Sequence, residues 1–253
     1  MGATLSSAAD TKSKRGLVAA AIVAAIAFAV LVSLGFWQMQ RLAWKEALIA
    51  QIDARSHAAP VPLPPRSDWA ALDPETYEYR RVSATGMFEH DREVQVFRAS
   101  GPNAGLSQPG YLVITPLRLA DGAHVLVTRG FVPEAYRDPA TRPAGQVGGE
   151  VTIVGLMRAP ETRNAFTPAD DPGRNAWFTR DPALIARHLG LADAAPFSID
   201  ADATPVPGGL PRGGATVVAI KNDHLSYALT WFGLAATLVV VFGLVMLKRL
   251  RDT

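Results

Sequence analysis

The chain carries two kinds of hydrophobic pattern. From Leu17 to Trp37, 21 residues pass without a charge or a proline, and Leu225 to Leu247 forms a second such run of 23. A bilayer core about 30 Å thick is crossed by roughly 20 helical residues at about 1.5 Å each. Both runs therefore predict transmembrane helices, over 17–39 and 223–247, with polar tails at 1–16 and 248–253. The first helix is expected to continue to about residue 56. No Gly or Pro occurs from Phe36 to Ala59, and Trp37, Arg41, Trp44 and Leu48 recur at helical spacing.

Between the two runs, over 57–222, the period changes. Pro60, Pro62, Pro64 and Pro65 predict a semi-rigid extended linker. Short runs rich in Val, Ile, Tyr and Phe follow: Glu78–Ala84, Glu93–Ala99, Tyr111–Leu119, His124–Arg129, Glu150–Met157, Phe197–Ile199 and Ala215–Lys221. Val94 and Val96, like Val125 and Val127, alternate with other residues as half-buried strands do. Asp121-Gly122 between two runs signals a hairpin. One short helix is expected over Asp181–Leu189, capped by Asp181, opened by Pro182 and ended by Gly190. The expected fold is a membrane protein whose two transmembrane α-helices flank a β-rich domain, an antiparallel sheet or small barrel with one short helix.

Charge sets the expected orientation. Lys12, Lys14 and Arg15 precede the first run, and Lys248, Arg249 and Arg251 follow the second. Positive flanks stay on the cytoplasmic side, and a long loop crosses largely regardless of its charge. Both termini are thus expected in the cytoplasm or a mitochondrial matrix, with the middle domain outside. The first run exceeds the length of a signal peptide's apolar region and ends on Gly-Phe-Trp-Gln-Met-Gln, not on small residues, so it reads as a retained anchor.

Composition removes several chemistries. With no Cys, disulfide scaffolds, thiolate metal sites and Cys nucleophiles are excluded. A net charge of +2 gives no nucleic-acid footprint. The five His and five Met are scattered, against a copper site. Gly208-Gly209-Leu210-Pro211-Arg212-Gly213-Gly214 lacks the Lys-Ser/Thr ending of a phosphate loop and reads as a hairpin or surface loop. Nothing nominates an enzyme.

Several segments are more specific. Leu34-Gly35-Phe36-Trp37-Gln38-Met39-Gln40-Arg41-Leu42-Ala43-Trp44-Lys45 closes the first apolar run. Gly86-Met87-Phe88, Gly110-Tyr111 leading to Thr115-Pro116-Leu117, and Val125-Leu126-Val127-Thr128-Arg129-Gly130-Phe131-Val132-Pro133 follow. Then come Phe166-Thr167-Pro168, Asn175-Ala176-Trp177 and Asp181, and last Asn222-Asp223-His224-Leu225-Ser226-Tyr227-Ala228-Leu229-Thr230-Trp231. In this order the set resembles the surfeit locus protein one family, the Shy-type cytochrome c oxidase assembly factors, from Leu34 to Trp231. Two segments depart from the common family pattern. Thr128-Arg129-Gly130-Phe131 stands where many members have Asn-Arg-Gly-Trp, and Asn222-Asp223-His224 where many have Asn-Asn-His.

The resemblance implies a non-catalytic role in the plasma (inner) membrane, with the domain in the bacterial periplasm. That role is support of the haem-copper oxidase catalytic subunit, at haem a insertion. It implies haem a as a transient cofactor, with His224 as the suspected iron ligand. The residues by themselves leave two readings open. His224, Tyr227, Ala228, Trp231 and Ala235 share one helical face, where a neutral imidazole suits haem iron and small residues admit a flat ring. The same face also reads as an ordinary interfacial belt. Trp37 and Arg41 form the facing group, with Arg41 suited to a propionate or simply snorkelling to water. Trp44, Lys45 and Arg129 are the expected contacts for a partner protein, although Arg129 also suits a structural ion pair at a strand end, with Gly130 supplying a tight turn. Asn175 reads as a backbone-capping residue, and Phe166 and Trp177 as loop anchors. The alternative function is a haem-free scaffold that holds the nascent catalytic subunit or haem A synthase.

Overall fold

The structure, a computed structural model, describes residues 3–100, 107–214 and 222–251. Its elements in order are α1 (Ala3–His57), β1 (Val61–Pro62), α2 (Pro74–Tyr77), β2 (Arg81–Phe88), β3 (Val94–Arg98), β4 (Gly110–Leu119), β5 (His124–Pro133), β6 (Glu150–Arg158), α3 (Pro182–His188), β7 (Ala194–Ala201) and α4 (His224–Arg251). The expected run Ala215–Lys221 lies outside the described residues. Two compact units result. One holds α1 as far as Ala50 together with α4. The other starts at Gln51 and contains every described strand.

The two long helices contain segments long and apolar enough to cross a membrane, Gly16–His57 and His224–Arg249. Their apolar side chains are mostly exposed, Val23, Ile26, Leu229 and Leu244 among them. Water would penalise such a surface, whereas lipid solvates it.

In the other unit, β2, β6, β7, β5 and β4 form a closed five-stranded barrel, because β4 pairs back onto β2. The pairs are antiparallel except β5 with β7. A parallel pair needs a crossover, and residues 134–193 supply it, with β6 and α3 on the way. β3 continues the line of β2 along the edge of β4, after a short turn at His90–Arg92. The proline linker does more than span a gap. Val61 and Pro62 add β1 in parallel to the free part of β2, and Trp69 Nε1 donates to Pro64 O at 2.9 Å.

Strand alternation sorts side chains between inside and outside. Val82, Ala84, Leu117, Val125, Val127, Met157, Phe197 and Ile199 fill the barrel. The outer face, with Val94, Val96, Ile114 and Leu126, is covered by α3 through Ile185 and Ala186 and by Trp177. α3 starts where the sequence places it. The Asp181 carboxylate accepts from the Ala183 and Leu184 N–H groups, Pro182 takes the first turn, and Gly190 follows at φ 66°. Between β4 and β5, Gly122 takes φ 84° and Asp121 accepts from Ala123 N, closing the expected hairpin.

Two expectations fail. β5 does not end at Arg129-Gly130 but continues to Pro133. Gly130 stands inside the strand at φ 144°, where a Cβ would collide with the Arg212 carbonyl. Gly is required by close backbone approach here, not by a tight turn. Phe166 does not anchor a loop either, since it is 94% exposed. Trp177 does, at 2% exposure. Asn175 also holds its expected place. It adopts a left-handed conformation, its Oδ1 accepts from Gln95 N, and its Nδ2 donates to Glu93 O.

Polar pairs lock the loops onto the barrel. Arg142 grips both oxygens of Glu93, with both side chains almost fully buried. Glu161 accepts from Arg98 at 2.7 Å and from Arg180 Nε at 2.8 Å, and Asp200 takes Arg180 and Arg158. Burial alone would raise the Glu161 carboxyl, but Arg180 and Arg98 beside it hold it below the usual carboxylate range.

Candidate functional site: the His224 end of the helix pair

α4 begins at His224, directly after Asn222-Asp223. Four residues later comes Ala228, and seven beyond that Ala235, both buried. On α1 the buried positions of the apolar end are Gly35 and Gln38. Gly35, Ala228 and Ala235 are small and permit close approach of two helices. Phe232 fills the space over Gly35, within 2.8 Å of where a Cβ would stand, and meets Phe36 edge-on at a ring separation of 5.5 Å.

At this junction His224 Nδ1 lies 2.7 Å from Gln38 Oε1. A glutamine carbonyl oxygen only accepts, so Nδ1 carries the proton and donates. A lone pair can then reside only on Nε2, for which no hydrogen-bond partner occurs among the described residues. A second group that fixes the tautomer and orientation of an imidazole is the usual companion of a metal-ligating histidine. Gln38 therefore orients His224 so that Nε2 is the ring atom that could ligate a metal. Among the described residues no group of three or more His, Asp or Glu gathers to hold a bare metal ion. One oriented imidazole between apolar helices could instead hold the iron of a haem.

The other expected residues are placed unequally. Trp231 is half-buried on the His224 face, whereas Tyr227 is 55% exposed and lies at its margin. Trp37 and Trp44 are each 52% exposed. Arg41 stands one turn beyond Gln38, and its guanidinium lies over the Trp44 ring at 4.7 Å, a cation–π contact within its own helix. Lys45 is half-buried on the next turn.

Arg129 belongs to the barrel and does not join this group. It is only 5% exposed, so it is not presented to a partner protein. Its guanidinium donates to Gly145 O and meets His90 Nδ1 at 3.3 Å and the Phe88 ring at 4.9 Å. Arg129 forms no ion pair there among the described residues. Alternation along β5 sends its side chain inward with Val125 and Val127, which is why it is enclosed.

Gln38 was not singled out from the sequence. The available signal was a polar residue within the apolar helix end, flanked by two tryptophans in Trp37-Gln38-x-x-Arg41-x-x-Trp44. Only the pairing of two segments 186 positions apart shows what it does.

Residues 25–236 match the SURF1 family. The chain belongs to that family. Surfeit locus protein 1 of Xenopus tropicalis is 42% identical over 220 residues, which cover 81% of this chain and 68% of the relative. The human protein of the same name is 41% identical over 216 residues, covering 80% and 69%. A SURF1-like protein of Monosiga brevicollis is 41% identical over 230 residues, covering 85% and 82%. The family match takes in both long helices' facing segments, including Gln38 and His224, as well as the whole barrel.

Proposed function

We propose that this SURF1-family chain is an assembly factor for cytochrome c oxidase. It acts without catalysis of its own, by holding haem a transiently at the His224 end of α4 for the oxidase catalytic subunit. The observation that carries the haem reading is the Gln38–His224 hydrogen bond, which leaves Nε2 free to ligate. Trp231 and Trp37 offer aromatic surface near the ring, and Arg41 offers a guanidinium suited to a propionate. Trp44 and Lys45, farther along α1, suit contact with a partner protein. The haem supplies a Lewis-acid iron, and the residues orient and hold it.

The positive residues at both ends, Lys12, Lys14 and Arg15 and again Lys248, Arg249 and Arg251, support both termini on the cytoplasmic or matrix side. The barrel then stands on the opposite side of a bacterial plasma membrane or its mitochondrial counterpart. Haem A synthase is a second partner consistent with transient haem handling.

The test is haem a binding by the purified full-length chain. The wild type is expected to give the spectrum of a histidine-ligated haem. His224→Ala should lose it, and Gln38→Leu should weaken affinity by about 10–100-fold, as loss of an orienting partner does. Equal haem binding by wild type and His224→Ala would leave the haem-free scaffold as the reading.

A further inference from the structure

The barrel is open at one end. The β6–β7 register ends at Gly155 and Ala201, one further bond runs from Asp202 N–H to Val154 O at 2.9 Å, and beyond it no backbone hydrogen bond joins residues 151–153 to 204–207 among the described residues. A cavity of about 300 Å³ lies there, lined by Phe88, Arg129, Val151, Ile153, Ala201 and Val206 together with the neighbouring loop. Its size is at the small end of ligand pockets, and barrel mouths are a recurrent place for them.

The unusual feature of this mouth is its cation. Arg129 is 5% exposed, yet no carboxylate pairs with it among the described residues. Glu93, the acidic group that acts on it through space, has both oxygens held by Arg142. Asp202 also lines the cavity, but Arg81 grips its carboxylate. What Arg129 has instead is one carbonyl, one neutral imidazole nitrogen and an aromatic face. Buried cations are ordinarily paired. Burial accordingly pulls the Arg129 guanidinium down to about 10, against the pull of Glu93.

We infer that the barrel mouth is a binding site for a small apolar carboxylate, whose anionic head pairs with Arg129 and whose body lies on Val151, Ile153, Ala201 and Val206. The guanidinium fork matches a carboxylate, and the enclosed setting strengthens the pair. The apolar lining selects an alkyl or aryl acid over a hydrophilic one. This site lies within the barrel and is independent of the haem reading, so either can fail without the other.

The experiment is calorimetric titration of the full-length chain in zwitterionic nanodiscs at pH 7.5, with empty nanodiscs as baseline. The probes are 4-phenylbutyrate and 4-phenylbutan-1-ol, which share a body and differ in the charged head. Saturable binding of the acid is expected, with the alcohol about ten-fold weaker or worse, as loss of a charged hydrogen-bonded pair implies. Arg129→Lys should keep the preference for the acid, and Arg129→Met should lose it. Ile153→Trp, which fills the cavity and leaves Arg129 in place, should abolish binding of both. A fluorescence melt on each variant identifies any that has unfolded. Absence of saturable binding, equal affinity for acid and alcohol, or unchanged binding by a folded Ile153→Trp variant would each overturn the proposal.

Discussion

Glu93 and Arg142 form the most enclosed ion pair among the described residues of the barrel unit, with side chains 3% and 2% exposed. Their contact ties the start of β3 to the loop after β5. Replacing Glu93 by Ala removes the carboxylate and leaves Arg142 buried without a counter-charge. It also takes away one of the two acceptors of Gln95 Nε2, Glu93 Oε1 at 3.1 Å, and leaves the other, Arg137 O at 2.7 Å. Breaking one side of a buried pair costs about 3–5 kcal/mol. For a domain of this size, each kcal/mol lowers the melting temperature by about 2–4 °C, so Glu93→Ala should melt about 6–20 °C below wild type. Arg129 makes the loss larger, because Glu93 is the anion that favours its charged form. The double variant Glu93→Leu/Arg142→Met removes both charges and should recover most of the loss, since apolar replacement of a buried pair is often neutral. Thermal melts of the full-length chain followed by tryptophan fluorescence report on this unit through buried Trp69 and Trp177. A shift under about 3 °C for Glu93→Ala, below the range worked out above, would refute the reasoning. So would a double variant as unstable as the single one.

Three further outcomes are expected. His90 is held below its ordinary value chiefly by burial, and its neutral Nδ1 faces Arg129 while Nε2 lies 2.9 Å from Val147 O. The stability it contributes is therefore complete above the ordinary histidine value of about 6.5 and is lost as pH falls through the lower folded value. His90→Asn should flatten the pH dependence of the melt between 7.5 and 5.5 (~2 pH units spanning the histidine range), and identical slopes would count against the contact. Gly130→Ala should destabilise the barrel by about 1–3 kcal/mol or more through backbone strain and collision with Arg212 O, read by denaturant unfolding. Phe166→Ala should leave stability within about 0.5 kcal/mol of wild type, since that ring is exposed.

Long-period features were legible in the sequence. The two membrane-type helices, the run of α1 past its apolar segment, and the capped helix after Asp181 follow from hydrophobic length, spacing and caps. The strands were located by composition, but apart from the β4–β5 hairpin their partners were not. Closure of β2 onto β4 and the parallel β5–β7 pair are non-local, and no residue in either strand announces them. Gly130 shows the limit clearly. Its glycine pointed to a turn, whereas the cause is a carbonyl 82 positions later in the chain. Arg129 and Gln38 fail for the same reason in opposite directions. An arginine beside a glycine read as a partner contact or a structural ion pair at a strand end, yet strand alternation turned it into the barrel. The glutamine beside the tryptophans carried no reading of its own, yet it hydrogen-bonds and orients His224.

The most direct test of oxidase assembly with haem a at His224 is a reduced-minus-oxidised spectrum of membranes, with oxidase activity per haem a. It compares cells lacking this gene, cells restored with the wild type, and cells restored with His224→Ala. The account predicts a lowered haem a signal and activity without the gene, recovery with the wild type, and no full recovery with His224→Ala present at wild-type level. Normal haem a and activity without the gene would contradict an assembly role. Full recovery by His224→Ala would contradict haem handling at that residue.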